Sequence, residues 1–158
     1  HGPGQLVCYP ILDLERLGIG LRAYIDALEE SVIRTVAEYG IRAGRIAGAS
    51  GVWVGAGIAQ EGDGRTADGG GKCTPAGGPR TTCGLTRWVR SSRYITMHGF
   101  ALNVTTDLEW FSRINPCGFT DRGATSIERE TGAKVPMDDV KRLVVKFLSE
   151  ILNVRIYK

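Results

Sequence analysis

The chain has 158 residues, of which 42% are hydrophobic, with four cysteines and a formal charge of +3. That length suits one domain with a real core, not two. The mild charge does not call for nucleic acid but favours an acidic partner, four cysteines do not read as a disulfide framework, and no apolar run approaches a membrane span.

In chain order, Gln5 to Leu14 reads as a buried strand with Pro10 near its exit. Leu21 to Tyr39 is an amphipathic helix. Ile25, Leu28, Val32, Ile33 and Val36 share one face, and Gly40 sits where a C-cap belongs. Ile41 to Ile46 and Val52 to Val54 are short strands. Trp88 to Met97 and Phe100 to Thr105 read as a strand pair hinged at His98-Gly99. Asp107 caps a short helix over Leu108 to Ile114, and Thr125 or Ser126 begins another. The last helix runs from about Met137 to Leu152, with Val140, Leu143, Val144, Phe147, Leu148 and Ile151 as its stripe. Val154 to Tyr157 reads as a closing strand. Interleaved helices and strands define an α/β or α+β class.

Residues 61–84 hold eight glycines and no Val, Ile, Leu, Met, Phe, Tyr or Trp. Such a segment buries too little apolar surface to order itself. Poor packing is therefore expected there, within an aberrant or inserted stretch at about residues 55–87 of a single domain spanning 1–158.

The candidate nucleophile is Cys117, in Asn115-Pro116-Cys117-Gly118-Phe119. A thiol between Pro and Gly sits on a tightly turned backbone with little side-chain cover, the setting a reachable thiolate needs. Cys8 lies instead in an apolar run, as a structural cysteine does. Spacing alone leaves both readings of Cys117 open. No metal site is expected, because Cys73 and Cys83 are too far apart and no His-Cys pair has ligand spacing. Gly69-Gly70-Gly71-Lys72-Cys73 lacks the glycine spacing and hydroxyl of a phosphate loop. No cofactor is expected. Arg80, Arg87, Arg90 and Arg93, interleaved with Trp88 and Tyr94, raise an RNA-binding alternative, but no recognisable module accompanies them.

Four segments carry a family likeness. His1-Gly2-Pro3-Gly4-Gln5-Leu6-Val7 with Tyr9-Pro10-Ile11-Leu12-Asp13-Leu14 resembles the central motif of the lipoyl(octanoyl) transferases. Gly51-Val52-Trp53-Val54, His98-Gly99-Phe100-Ala101-Leu102-Asn103, and Pro116-Cys117-Gly118 with Thr125-Ser126 follow in the family's order. The resemblance implies a mixed sheet flanked by helices, the fold of biotin and lipoate ligases. It implies transfer of an octanoyl group from octanoyl-acyl carrier protein to a lysine of a lipoyl domain. The acceptors it implies are the 2-oxoacid dehydrogenases and the glycine cleavage H protein, and the intermediate a Cys117 thioester. An ATP-dependent ligase of the same fold is the alternative.

The resemblance also assigns substrate-binding roles. The His98-Gly99-Phe100 turn lines the acyl pocket, Gly99 approaching the acyl carbonyl and Phe100 giving an apolar wall, and His1 stands at the substrate. His98 by itself reads as a turn-shaping residue, with general base as the alternative. The family's activating lysine falls at Cys83 when counted back from His98, and Lys72 is a poor substitute. The family carries an Arg-Gly-Gly segment before the first motif, so this chain is expected to be a piece of a longer protein; that loss and the lost lysine together are expected to leave it catalytically defective by a large factor. A monomer is expected, cytoplasmic in a bacterium or mitochondrial in a eukaryote.

Overall fold

A computed structural model describes residues 1–46, 49–55, 80–85, 91–109 and 123–156. Of residues 61–84, expected to pack poorly, 61–79 lie outside them, as does Cys117, whereas 80–84 are described and belong to a sheet strand.

Helix boundaries follow from capping. Asp13 accepts the Arg16 backbone N–H at 3.1 Å and starts α1 (Leu14–Leu17). α2 (Leu21–Ala37) ends at Gly40, whose φ is +73°. There Gly40 N–H reaches the Ala37 carbonyl at 2.9 Å and Ile41 N–H the Val36 carbonyl at 3.2 Å, a Schellman cap. The buried stripe of α2 is Tyr24, Leu28, Val32 and Val36, spaced four apart, and Ile25 and Ile33 flank it half-buried. Ser126 caps α3 (Ile127–Thr131) by accepting the Arg129 N–H at 3.2 Å. α4 (Met137–Leu152) buries Val140, Val144, Phe147 and Leu148. Asn153, left-handed at φ 52°, ends it. The expected closing strand at Val154 does not form over residues 154–156. The Val154 N–H is used in the helix cap instead, bonded to the Ser149 carbonyl at 3.0 Å.

Six strands make one mixed sheet. Along it lie β1 (Gln5–Cys8), β7 (Phe100–Asn103), β4 (Arg80–Leu85), β3 (Ala49–Val54) and β2 (Ala43–Ile46), each antiparallel to the next. β8 (Gly123–Ala124) runs parallel to β4. Strand β4 is unannounced by composition, because it occupies the end of the glycine-rich stretch. In the sheet, Cys83 is paired between Val52 and Leu102.

The two faces of the β1–β7 pair differ. Leu6 stands opposite Leu102, and Cys8 opposite Phe100. This face joins the core formed by α2, α4 and the sheet, in which Phe100, Leu102, Leu28 and Val140 are wholly buried. The alternate residues, Gln5 opposite Asn103 and Val7 opposite Ala101, point the other way. Buried Glu29 of α2 ties the helix to β2 and β3. One of its oxygens meets Arg45 at 3.0 Å, and the other accepts the Gly51 N–H at 3.1 Å.

The stretch expected as one strand from Trp88 to Met97 is a two-residue hairpin where it is described. β5 (Ser91–Ser92) pairs with β6 (Ile95–Thr96) around Arg93 and Tyr94, whose φ angles are 50° and 66°. Such a turn normally takes Asn-Gly or another glycine pair. Here residues 12–14 hold it. Leu14 N–H donates to the Tyr94 carbonyl at 3.0 Å, Thr96 N–H to the Leu12 carbonyl at 2.9 Å, and Leu12 N–H to Thr96 Oγ1 at 2.8 Å. β7 consequently pairs with β1 and β4, not with the segment before His98.

Candidate active site

Gly4 sits at φ +79°, and a Cβ there would come 2.6 Å from the Thr105 carbonyl carbon. Its own carbonyl accepts the Val104 and Thr105 N–H groups, each at 3.1 Å. The His1-Gly-Pro-Gly turn therefore lies against the end of β7, an approach only glycine permits. Gly2 N–H donates to Gln5 Oε1 at 2.9 Å. Gln5 Nε2 donates to Asn103 Oδ1 at 2.8 Å, and buried Asn103 donates through Nδ2 to the Thr125 carbonyl at 3.0 Å. Glu128 N–H closes the assembly on the Val104 carbonyl at 2.9 Å. Three of the four motif segments thus converge on one polar chain.

The second cluster surrounds His98. Gly99 packs so tightly on β1 that a Cβ would lie 2.0 Å from the Cys8 carbonyl oxygen. Phe100, next along, is wholly buried in the core, so it anchors the turn from beneath. Buried Tyr24 donates its hydroxyl to the His98 carbonyl at 3.0 Å, with a longer approach of 3.4 Å to the Pro10 carbonyl. Thr96 Oγ1 donates to the Pro10 carbonyl at 2.7 Å. On the outer side Tyr9 stands between the chain's two histidines. Its hydroxyl lies 2.6 Å from His1 Nε2, and its ring meets the His98 ring edge-on at 6.3 Å between centroids. His1 and His98 are therefore neighbours through Tyr9.

Tyr9 and Tyr24 are absent from the residues selected by sequence. Tyr24 had a signal, four residues before Leu28 on the buried stripe. Tyr9 had none beyond its place in the motif.

Burial pushes the Cys8 thiol up to about 11 and the Tyr24 phenol up to about 12. At neutral pH Cys8 is a protonated thiol and a poor nucleophile. An apolar cleft of about 560 Å³ lies between the end of β1 and α4, lined by Val7, Tyr9, Ile11, Val144, Leu148 and Ile156 among others. It includes neither His98 nor Gly99. Among the described residues no three metal-ligating side chains cluster, and no helix is long and apolar enough to cross a membrane.

Known proteins resemble this chain in sequence and in fold. Residues 1–149 match the family model of the lipoyl protein ligase A/B catalytic domain, and the chain belongs to that family. It is 50% identical to an octanoyltransferase of Bacteroides thetaiotaomicron over 97% of this chain and 59% of the relative. It is 44% identical to an octanoyltransferase of Flavobacterium johnsoniae over 99% of this chain and 59% of that relative. The chain thus spans about 59% of the length of these curated relatives. The fold matches a bipartite lipoate protein ligase from Thermoplasma acidophilum with a TM-score of 0.64 at 15% identity, covering 100% of this chain and 55% of that one. It matches the biotin protein ligase of Aquifex aeolicus with a TM-score of 0.59 at 20% identity, covering 95% and 53%. The mixed sheet flanked by helices is therefore the fold of these ligases.

Proposed function

We propose that the chain is catalytic machinery of an octanoyltransferase in lipoate biosynthesis. It takes an octanoyl group from octanoyl-acyl carrier protein and delivers it to a lysine of a lipoyl domain. The 2-oxoacid dehydrogenases and the glycine cleavage H protein supply such domains. The Cys117 thiolate attacks the thioester carbonyl, forming a new carbon–sulfur bond as the carrier's thiol leaves. The acceptor lysine amine then attacks the Cys117 thioester. An amide forms, the amine gives up a proton, and the cysteine is restored.

The observation that carries this reading is the convergence of the motif segments on the Gly2–Gln5–Asn103–Thr125 chain, in a sequence half identical to an octanoyltransferase. His98 and Gly99 are read as the rim of the acyl site, Phe100 as its anchor in the core, and His1 as a substrate contact. The burial that raises the Cys8 thiol supports assigning the nucleophile to Cys117. The bacterial sources of the relatives support a cytoplasmic setting.

The test is transfer to a purified lipoyl domain from octanoyl-acyl carrier protein, with ATP omitted. Slow, Cys117-dependent amide formation is expected. Transfer from free octanoate that requires ATP would make the chain a ligase instead.

A further inference from the structure

Tyr24 is wholly buried at 0% exposure, yet carries a polar group that must find a partner. It finds one outside its own helix. The shorter of its two hydrogen bonds, 3.0 Å, goes to the carbonyl of His98, seventy-four residues on. That carbonyl belongs to the peptide unit joining His98 to Gly99. A peptide unit is planar, so holding its oxygen toward α2 turns the Gly99 N–H the opposite way. The near side of the same unit is confined by Gly99 against the Cys8 carbonyl. Pro10, whose carbonyl also lies 3.4 Å from the Tyr24 hydroxyl, is tied with Leu12 to the hairpin by the Thr96 hydroxyl.

We propose that Tyr24 is a positioning residue of the acyl site: its hydroxyl sets the plane of the His98–Gly99 peptide. The proposal rests on reading the His98-Gly99-Phe100 turn as part of that site. Tyr24 touches no substrate in this role. It acts through the turn, from a helix that carries none of the four motif segments.

The test compares Tyr24→Phe with Ser31→Ala in the full chain. Ser31 is the fitting control, because it is a buried hydroxyl on the same helix that donates to the Leu28 carbonyl at 2.7 Å, away from the turn. Tyr24→Phe is expected to shift the His98 and Gly99 amide resonances. It should slow self-acylation by octanoyl-acyl carrier protein by about tenfold or more, with half-saturation changed less than about twofold, as misplacement of a reacting group does. Ser31→Ala should change neither. Unmoved Gly99 resonances, or equal kinetic effects from the two substitutions, would overturn the proposal. A reading that needs no variant is the Tyr24 hydroxyl proton. It should be protected from exchange and produce a deuterium isotope shift on the His98 carbonyl carbon; its absence would equally overturn the assignment. Failure of the acyl-site reading shows itself separately, as no octanoyl adduct on the unsubstituted chain, and it would also remove the role proposed for Tyr24.

Discussion

Gln5 donates its side-chain amide to Asn103 at 2.8 Å, across ninety-eight residues of chain, and the two face each other in the β1–β7 register. This pair sits on the sheet face opposite the apolar core. Asn103 also holds Thr125, so one buried amide joins both motif strands to the start of α3. Asn103→Asp removes the donor to Thr125 and aims a carboxylate at its carbonyl. A buried acceptor left unpaired costs about 1–3 kcal/mol, more for a charged group. Urea unfolding should show at least that loss at pH 7, and the loss should shrink in acid as the new carboxyl is protonated.

Gly99→Ala is expected to disrupt the His98 turn without touching the core side chains. The added methyl would overlap the Cys8 carbonyl oxygen, which is fixed backbone. The Cys8 to Phe100 pairing should open, seen as faster amide exchange at Phe100 and at Cys8. Unchanged protection at both would mean that the two strands do not approach this closely.

The Arg93-Tyr94 turn holds two side chains in a conformation that costs non-glycine residues about 1–2 kcal/mol each. Tyr94 is exposed, so its ring contributes little packing. The double substitution Arg93→Asn with Tyr94→Gly supplies the residues such a turn prefers. It should raise the thermal midpoint. A lower midpoint would show that the exposed ring is held by contacts stronger than the strain it relieves.

Alkaline stability should be limited by Cys8 and Tyr24. Both are pushed above their ordinary values, to about 11 and about 12, chiefly by burial. Each binds its proton more tightly folded than unfolded. Their contributions are therefore full below the unfolded values of about 8.5 and about 10, and are lost as pH rises through the folded ones. Stability measured by denaturant should fall between about pH 9 and pH 12. Tyr24→Phe should flatten the upper part of that fall, and Cys8→Ala the lower part.

The long helices were legible because their signals are local. Leu28, Val32 and Val36 repeat at helical spacing and Gly40 supplies the left-handed cap, so α2 could be read to within about two residues. The extent of α4 was equally readable, and the start of α3 was narrowed to Thr125 or Ser126, of which Ser126 is the cap. Strand β4 was not, since Arg80 to Leu85 contains one large apolar residue and gains its place from β3 and β7 on either side. The hairpin was hidden because Arg-Tyr is no turn signal, and contacts from Leu12 and Leu14 impose the conformation. At the site, the motif residues His98 and Gly99 stood out in sequence. Tyr24 could be read only as a core position, because the carbonyl its hydroxyl bonds is one that only the folded chain brings within reach.

The central claim is that Cys117 carries the acyl group, and intact-mass spectrometry after incubation with octanoyl-acyl carrier protein tests it most directly. The chain should gain the mass of one octanoyl group, released by hydroxylamine as a thioester is, and Cys117→Ala should abolish the gain while Cys8→Ala preserves it. An adduct that survives Cys117→Ala and disappears with Cys8→Ala would contradict the assignment.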